Sequence, residues 1–242
     1  MNAKQADALG AQVARAVQRG DPDQACALLD PVLAERTPFR FLDRIGRAVG
    51  ASPLPETNIF LERIAAGRTE GGWVVIGSAL GAQRDRDLDG ALSRCRTWIA
   101  VAGTWYASDI LGERVPGPAL VDSFEPALDL LAPWRQEPNR WVRRSVGVAV
   151  HFWAKRSQGA PELAVQARAL LEFLDPLFEE WEMDAVKGIG WGLKTLGRHY
   201  PDLVASWLEE QVFQRQRRHR ALMLRKAITY LPDQHRARLA TG

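Results

Sequence analysis

Residues 184–199 read Asp-Ala-Val-Lys-Gly-Ile-Gly-Trp-Gly-Leu-Lys-Thr-Leu-Gly-Arg-His. At 100° per residue, Lys187, Trp191, Lys194 and Arg198 share one narrow stripe, spaced four, three and four apart, away from the apolar face. A tryptophan among three cations has two readings. It is a half-buried indole covered by the stems of its neighbours, or a ring offered to a ligand. The glycines at 188, 190 and 192 imitate a nucleotide-binding loop. That context fails, because no strand precedes them and the helical register runs through. In a helix each glycine costs about 1 kcal/mol against alanine, so something is expected to approach the backbone closely there. Asp184 is positioned to cap this helix.

Outward from this segment, breakers fall at Gly20-Asp21-Pro22, Ser52-Pro53-Leu54-Pro55, Gly71-Gly72, Pro116-Gly117-Pro118, Glu137-Pro138-Asn139, Gly159-Ala160-Pro161 and Tyr200-Pro201-Asp202. They leave segments of one or two helices. Asn139 is placed to cap a helix opening at Arg140. Three triplets share a basic, a small and a branched residue: Arg144-Ser145-Val146, Lys187-Gly188-Ile189 and Lys226-Ala227-Ile228, at steps of 43 and 39 residues. The segments at Trp73 and Trp105 resemble degenerate copies. A step of about 40 residues fits two antiparallel helices per HEAT unit. No segment alternates convincingly as a strand. The expectation is an all-α, HEAT-like repeat solenoid, one domain over residues 1–242, in which the second helix of each unit lines a concave side.

Charge placement says more than the formal +3. Residues 211–242 hold eight Lys or Arg and one acid, net +7, leaving −4 on the rest. A second block holds Arg135, Arg140, Arg143, Arg144, Lys155 and Arg156 against Glu137 alone. Arginine dominates, 27 to 5 lysines, and its guanidinium grips phosphates in a bidentate way and stacks on rings. Basic density on a near-neutral chain points to a polyanion, so a DNA strand joins a neighbouring helix as an explanation of the glycines. On the helix from Arg140, the residues Arg140, Arg144, His151 and Lys155 fall on one side, opposite Val142, Val146, Ala149 and Trp153. Arg218 and Arg225 complete the expected cationic contacts.

Trp105 and Asp109 lie four apart and share a helical face, either as a surface acid near a core indole or as a functional pair. Trp73, Trp98, Trp134, Trp181 and Trp207 read as core or helix joints. His151, His199, His219 and His235 have no ligand spacing and read as surface or phosphate-facing. Cys26 and Cys95 form no framework. Neither a metal nor a cofactor motif is visible, no apolar run reaches the roughly 20 residues of a membrane helix, and the N-terminus does not read as a secretory signal. A cytoplasmic monomer is expected.

Trp105-Tyr-Ala-Ser-Asp109, Trp141-Val-Arg-Arg144 and Lys187-Gly-Ile-Gly-Trp191-Gly-Leu-Lys194 resemble, in order and separation, the motifs of the AlkD-type DNA alkylation repair proteins. The similarity runs from about Thr97 to the C-terminus and is weakest over residues 1–70. It implies a HEAT-like solenoid holding duplex DNA in a basic cleft, and excision of N3- and N7-alkylpurines. By the resemblance, Trp105 and Trp191 are the indoles that pack beside the lesion deoxyribose, Asp109 is the catalytic carboxylate, and Arg144 contacts the backbone near the lesion. It also implies a first-repeat tyrosine. The N-terminal third has none, and Phe39 or Phe41 are the candidates to replace it. Some relatives bind bent or branched DNA without excising bases. Base release separates those two readings, and DNA binding at low salt separates both from a protein-binding scaffold.

Overall fold

The computed structural model describes residues 1–239. Among these residues every regular element is a helix. The chain divides into two compact units, Met1–Val115 and a second opening at Pro116.

The first unit contains α1 (Ala3–Gln18), α2 (Pro22–Ala34), α3 (Phe39–Gly50), α4 (Leu54–Ala66), α5 (Glu70–Gln83), α6 (Leu88–Ala102) and α7 (Trp105–Arg114). Helices α1, α3, α5 and α7 pack side by side in that order, with α2, α4 and α6 against them as a second layer. The breakers act as expected for most of these ends. Asp21 caps α2, accepting from the Gln24 N–H at 3.0 Å, and Pro53 precedes α4. Gly71-Gly72 differs: both lie inside the first turn of α5, because Thr69 already caps it through the Gly72 N–H at 3.0 Å.

The second unit contains α8 (Pro116–Asp122), α9 (Phe124–Leu131), α10 (Arg140–Ser157), α11 (Ala164–Leu174), α12 (Met183–His199), α13 (Pro201–Glu209), α14 (Ala221–Ala227) and α15 (Asp233–Leu239). Helices α8, α10, α12 and α14 stack in sequence, and α11 and α13 cover α10 and α12 from the other side. The starts of α10, α12 and α14 are 43 and 38 residues apart. Arg144 and Lys187 are each the fifth residue of their helix, and Trp73 and Trp105 lie in the first turns of α5 and α7. Lys226 is the sixth residue of α14, so the three triplets mark nearly equivalent positions on successive helices of the second unit.

Asn139 caps α10, accepting from the Trp141 N–H at 2.9 Å. Asp184 does not cap α12. The N-cap is Glu182, and the turn before it is organised by the Glu180 carboxylate, which accepts from the N–H groups of Trp181 (3.0 Å) and Glu182 (2.8 Å). Asp184 sits instead in the first turn, where an acid favours the helix dipole. The tryptophans at 73, 98, 134 and 207 are buried. Trp181 is not: it is 51% exposed, in the non-helical segment before α12, with the Arg220 guanidinium 4.7 Å from its ring. No helix among the described residues is long and apolar enough to cross a membrane.

Candidate nucleic-acid interface

The glycines of the 184–199 segment meet neighbouring helices. A Cβ at Gly188 would lie 2.5 Å from the Arg144 carbonyl oxygen, and one at Gly192 would lie 2.7 Å from that of Gly147. Gly188 and Gly192 are one turn apart on α12, so together they seat it against the α10 backbone. Gly190 faces the other way, where a Cβ would come within 2.8 Å of the Lys226 side chain on α14. All three glycines are thus accounted for by helix packing.

This close packing leaves one side of α12 open. Lys187 and Arg198 are exposed, and Trp191 and Lys194 are partly so. Tyr230, 46% exposed just after α14, gathers two of these cations. Lys194 Nζ lies 4.9 Å and the Arg198 guanidinium 5.2 Å from its ring centre. Lys226 adds a further charge. Burial lowers the pKa of its ammonium below the ordinary lysine value, helped by Lys194, Arg144, Lys187 and Arg225 nearby. Asp184 is the acid at this cluster's edge, 3.2 Å from Arg140 and 3.8 Å from Lys187. Neither Tyr230 nor Lys226 stood out as a site residue in the sequence.

On α10 the expected stripe is split. Arg140 and Lys155 are exposed at its ends. Arg144 and His151, between them, are buried at 7% and 8% exposure, because the stripe passes beneath α12 where Gly147 meets it. Arg144 donates to the Asp184 carbonyl oxygen at 2.9 Å, so it braces the start of α12. His151 is a correction to its surface reading. Its ring stacks on Trp191, centroids 3.8 Å apart at 25°, and Nδ1 lies 2.7 Å from Thr195 Oγ1. Burial, then the charge of Lys155, pushes its pKa down to about 4.

The basic C-terminal run is only partly available. Arg217 pairs with Asp175 (2.8 Å) and Glu179 (3.0 Å), and Arg215 pairs with Asp175 at 2.8 Å. Arg143 similarly pairs with Glu180 at 2.5 Å. Burial opposes ionisation of Glu180, but the Arg143 hydrogen bond and two backbone N–H groups outweigh it, and its pKa is lowered. Arg218 and Arg225 are exposed.

In the first unit, Trp105 opens α7 with 59% of its surface exposed and its ring edge-on to Tyr106 at 6.0 Å. Asp109, one turn on, is partly exposed. The indole at 105 is therefore no core residue. Of the two phenylalanines, Phe41 is buried at 7% exposure, whereas Phe39 is 38% exposed with the Arg114 guanidinium 5.6 Å from its ring. Among the described residues no group of His, Cys, Asp and Glu side chains could hold a metal ion.

A repeat stack of paired helices, with a cationic and aromatic face on one layer, defines a class of helical-repeat proteins. A family model, described as the DNA alkylation repair enzyme, matches residues 64–231, well over half of the chain. The chain belongs to that family. The match begins earlier than the motifs that first suggested it and takes in α5 and α6. Among solved structures, the alkylpurine DNA glycosylase AlkC of Pseudomonas fluorescens, bound to DNA containing an abasic site analog, is similar, with a TM-score of 0.60 and 17% identity. The likeness covers 92% of this chain and 62% of that one, so the chain spans less than two thirds of that protein's length. At this identity the likeness concerns the fold. No curated protein matches by sequence.

Proposed function

We propose that the chain is a monofunctional, AlkD-type DNA glycosylase. It hydrolyses the N-glycosidic bond of cationic N3- and N7-alkylated purines in duplex DNA, without flipping the base into a pocket. The observation that carries this reading is the open side of α12, where Trp191 sits among Lys187, Lys194 and Arg198 in a member of a DNA alkylation repair family. Cations spaced along a helix suit the phosphates of a backbone, fixing its register without reading sequence. Arg140, Lys155, Arg218 and Arg225 are exposed and extend that role, while buried Arg144 acts through the start of α12. The DNA-bound AlkC neighbour supports DNA as the partner. The protein acts on it as a monomer, in the cytoplasm and on the nucleoid.

The chemistry asks little more. N3- or N7-alkylation makes the purine a cation, and breaking the C1′–N bond returns the electron pair to the base, which leaves neutral. The sugar becomes oxocarbenium-like, as in glycoside hydrolysis. A fixed anion stabilises that charge, and Asp109 supplies it, orients the water that adds to C1′ and accepts the proton that water gives up, passing it on to solvent. The faces of Trp105 and Trp191 attract developing positive charge. Water is the nucleophile, so no lysine is needed for a lyase step. Phe39, the exposed member of its pair, takes the place of the first-repeat tyrosine.

The test is release of 7-methylguanine from duplex DNA under single turnover. Wild type is expected to release the base, and Asp109→Asn to slow release by about 10²-fold. Equal release by both proteins would remove Asp109 from the mechanism, and no release by wild type would leave a DNA-binding module.

A further inference from the structure

We infer that His151 is a positioning residue for Trp191: its imidazole backs the indole and fixes the direction in which that ring meets the DNA. The inference rests on the reading of Trp191 as a lesion contact. Three observations carry it. The two rings are stacked at 3.8 Å, and His151 is buried while Trp191 keeps part of its surface exposed, so the imidazole lies on the protein side of the indole. The Thr195 hydroxyl donates to the Trp191 carbonyl oxygen at 3.0 Å. That bond uses the hydroxyl proton, so at the 2.7 Å contact His151 Nδ1–H donates to Thr195 Oγ1. The imidazole plane is thereby tied, through Thr195, to the backbone of the residue it stacks on.

The surrounding sequence serves the same geometry. Gly192 and Gly147 bring the backbones of α12 and α10 together beside the stack, and a Cβ at Gly192 would also press to 3.3 Å on Val150 Cβ. Wider spacing would pull the imidazole off the indole. A stacked, hydrogen-bonded ring restricts Trp191 more than an aliphatic neighbour would, since flat rings favour offset stacking. A neutral imidazole also adds no positive charge behind an indole that faces a cationic lesion. The side chains at 151 and 195 thus act through Trp191 and do not themselves touch DNA.

Full-length protein labelled with 5-fluorotryptophan tests this by ¹⁹F NMR, with the Trp191 line assigned by its loss in Trp191→Phe. One narrow Trp191 line is expected in wild type. His151→Ala should shift and broaden it, and His151→Phe, which keeps a stacked ring, should restore a single line. In single-turnover release of 7-methylguanine, His151→Ala should be slower by about tenfold or more. Its affinity for undamaged duplex should change less than about threefold, since phosphate contacts supply non-specific binding. His151→Phe should recover most of the rate. An unchanged Trp191 line in His151→Ala overturns the inference, as does a rate loss that His151→Phe leaves in full. If wild type releases no base, the glycosylase reading fails and the ¹⁹F line alone decides the positioning role.

Discussion

In the first unit α3 meets α5 through Gly46 and Gly50; in the second α12 meets α10 through Gly188 and Gly192. A Cβ at Gly46 would lie 2.5 Å from the Val75 carbonyl oxygen, and one at Gly50 would overlap that of Ala79. The two joints share a four-residue glycine spacing and backbone-to-backbone contact, but their surroundings differ. Beside the α3–α5 joint, Asp43 accepts from Ser78 at 2.7 Å and from Arg114 at 2.8 Å. The polar groups there close on one another, in a unit with 14 basic and 14 acidic residues. Beside the α10–α12 joint, Arg144, Lys187, Lys194 and Lys226 crowd together, and the rings of Trp191 and Tyr230 reach the surface. The glycines set how the helices stack, and the side chains flanking them decide whether the face is finished within the protein or left for a polyanion.

The largest effects are expected at the glycines. Gly46→Val and Gly188→Val should each destabilise the fold by about 3 kcal/mol in urea unfolding, because the branched side chain meets backbone that cannot move aside. A large effect at one joint and none at the other would show that the two are not equivalent.

Acid separates the joints next. An ordinary histidine takes a proton near 6.5, and His151 does so only at about 4. The unfolded chain therefore binds this proton first. The stability is present above pH 6.5 and lost as pH falls towards 4, by up to about 3 kcal/mol. His151→Phe should flatten that part of the stability–pH profile, the difference from wild type isolating this residue from His199, whose pKa is also lowered by burial. Parallel profiles would contradict the burial argument.

DNA affinity should respond to changes in the second unit's cations and not to those of the first. Arg198→Ala should weaken binding to undamaged duplex by about tenfold at low salt and reduce the slope of log K against log salt by about one. Tyr230→Leu should act the same way with a smaller loss, of about fivefold, since it removes the ring that gathers Lys194 and Arg198. Arg44→Ala in the first unit should do least. Its 2.6 Å pair with Asp7 is exposed, so solvent screening should leave the urea midpoint nearly unchanged, with DNA affinity unaltered.

Much of this was legible before the structure. Breakers and triplets placed α10, α12 and α14 because the repeat keeps Arg144 and Lys187 at the same helical position. The open side of α12 followed from the 3.6-residue period. The stripe on α10 misled, because periodicity says which residues share a side and not whether a neighbour covers it. Gly147, between Arg144 and His151, carried the missing signal, since glycine in mid-helix marks where another backbone arrives. Residue type alone leaves Trp181 open between core and helix joint; it lies exposed in the joint before α12, where the Glu180 carboxylate accepts from two backbone N–H groups. The pairing of Arg215 and Arg217 with Asp175 and Glu179 joins residues about 40 positions apart, so counting charge along the chain overstated what the C-terminal run offers DNA.

The most direct test of the account uses matched duplexes under single turnover, one carrying cationic 7-methylguanine and one the neutral lesion 1,N6-ethenoadenine. A site that stabilises only the oxocarbenium-like sugar, relying on the lesion's own positive charge to make the base a good leaving group, and that has no pocket for a flipped base, predicts release of 7-methylguanine and none of the neutral base. Equal release of both, or release of the neutral base alone, would contradict it.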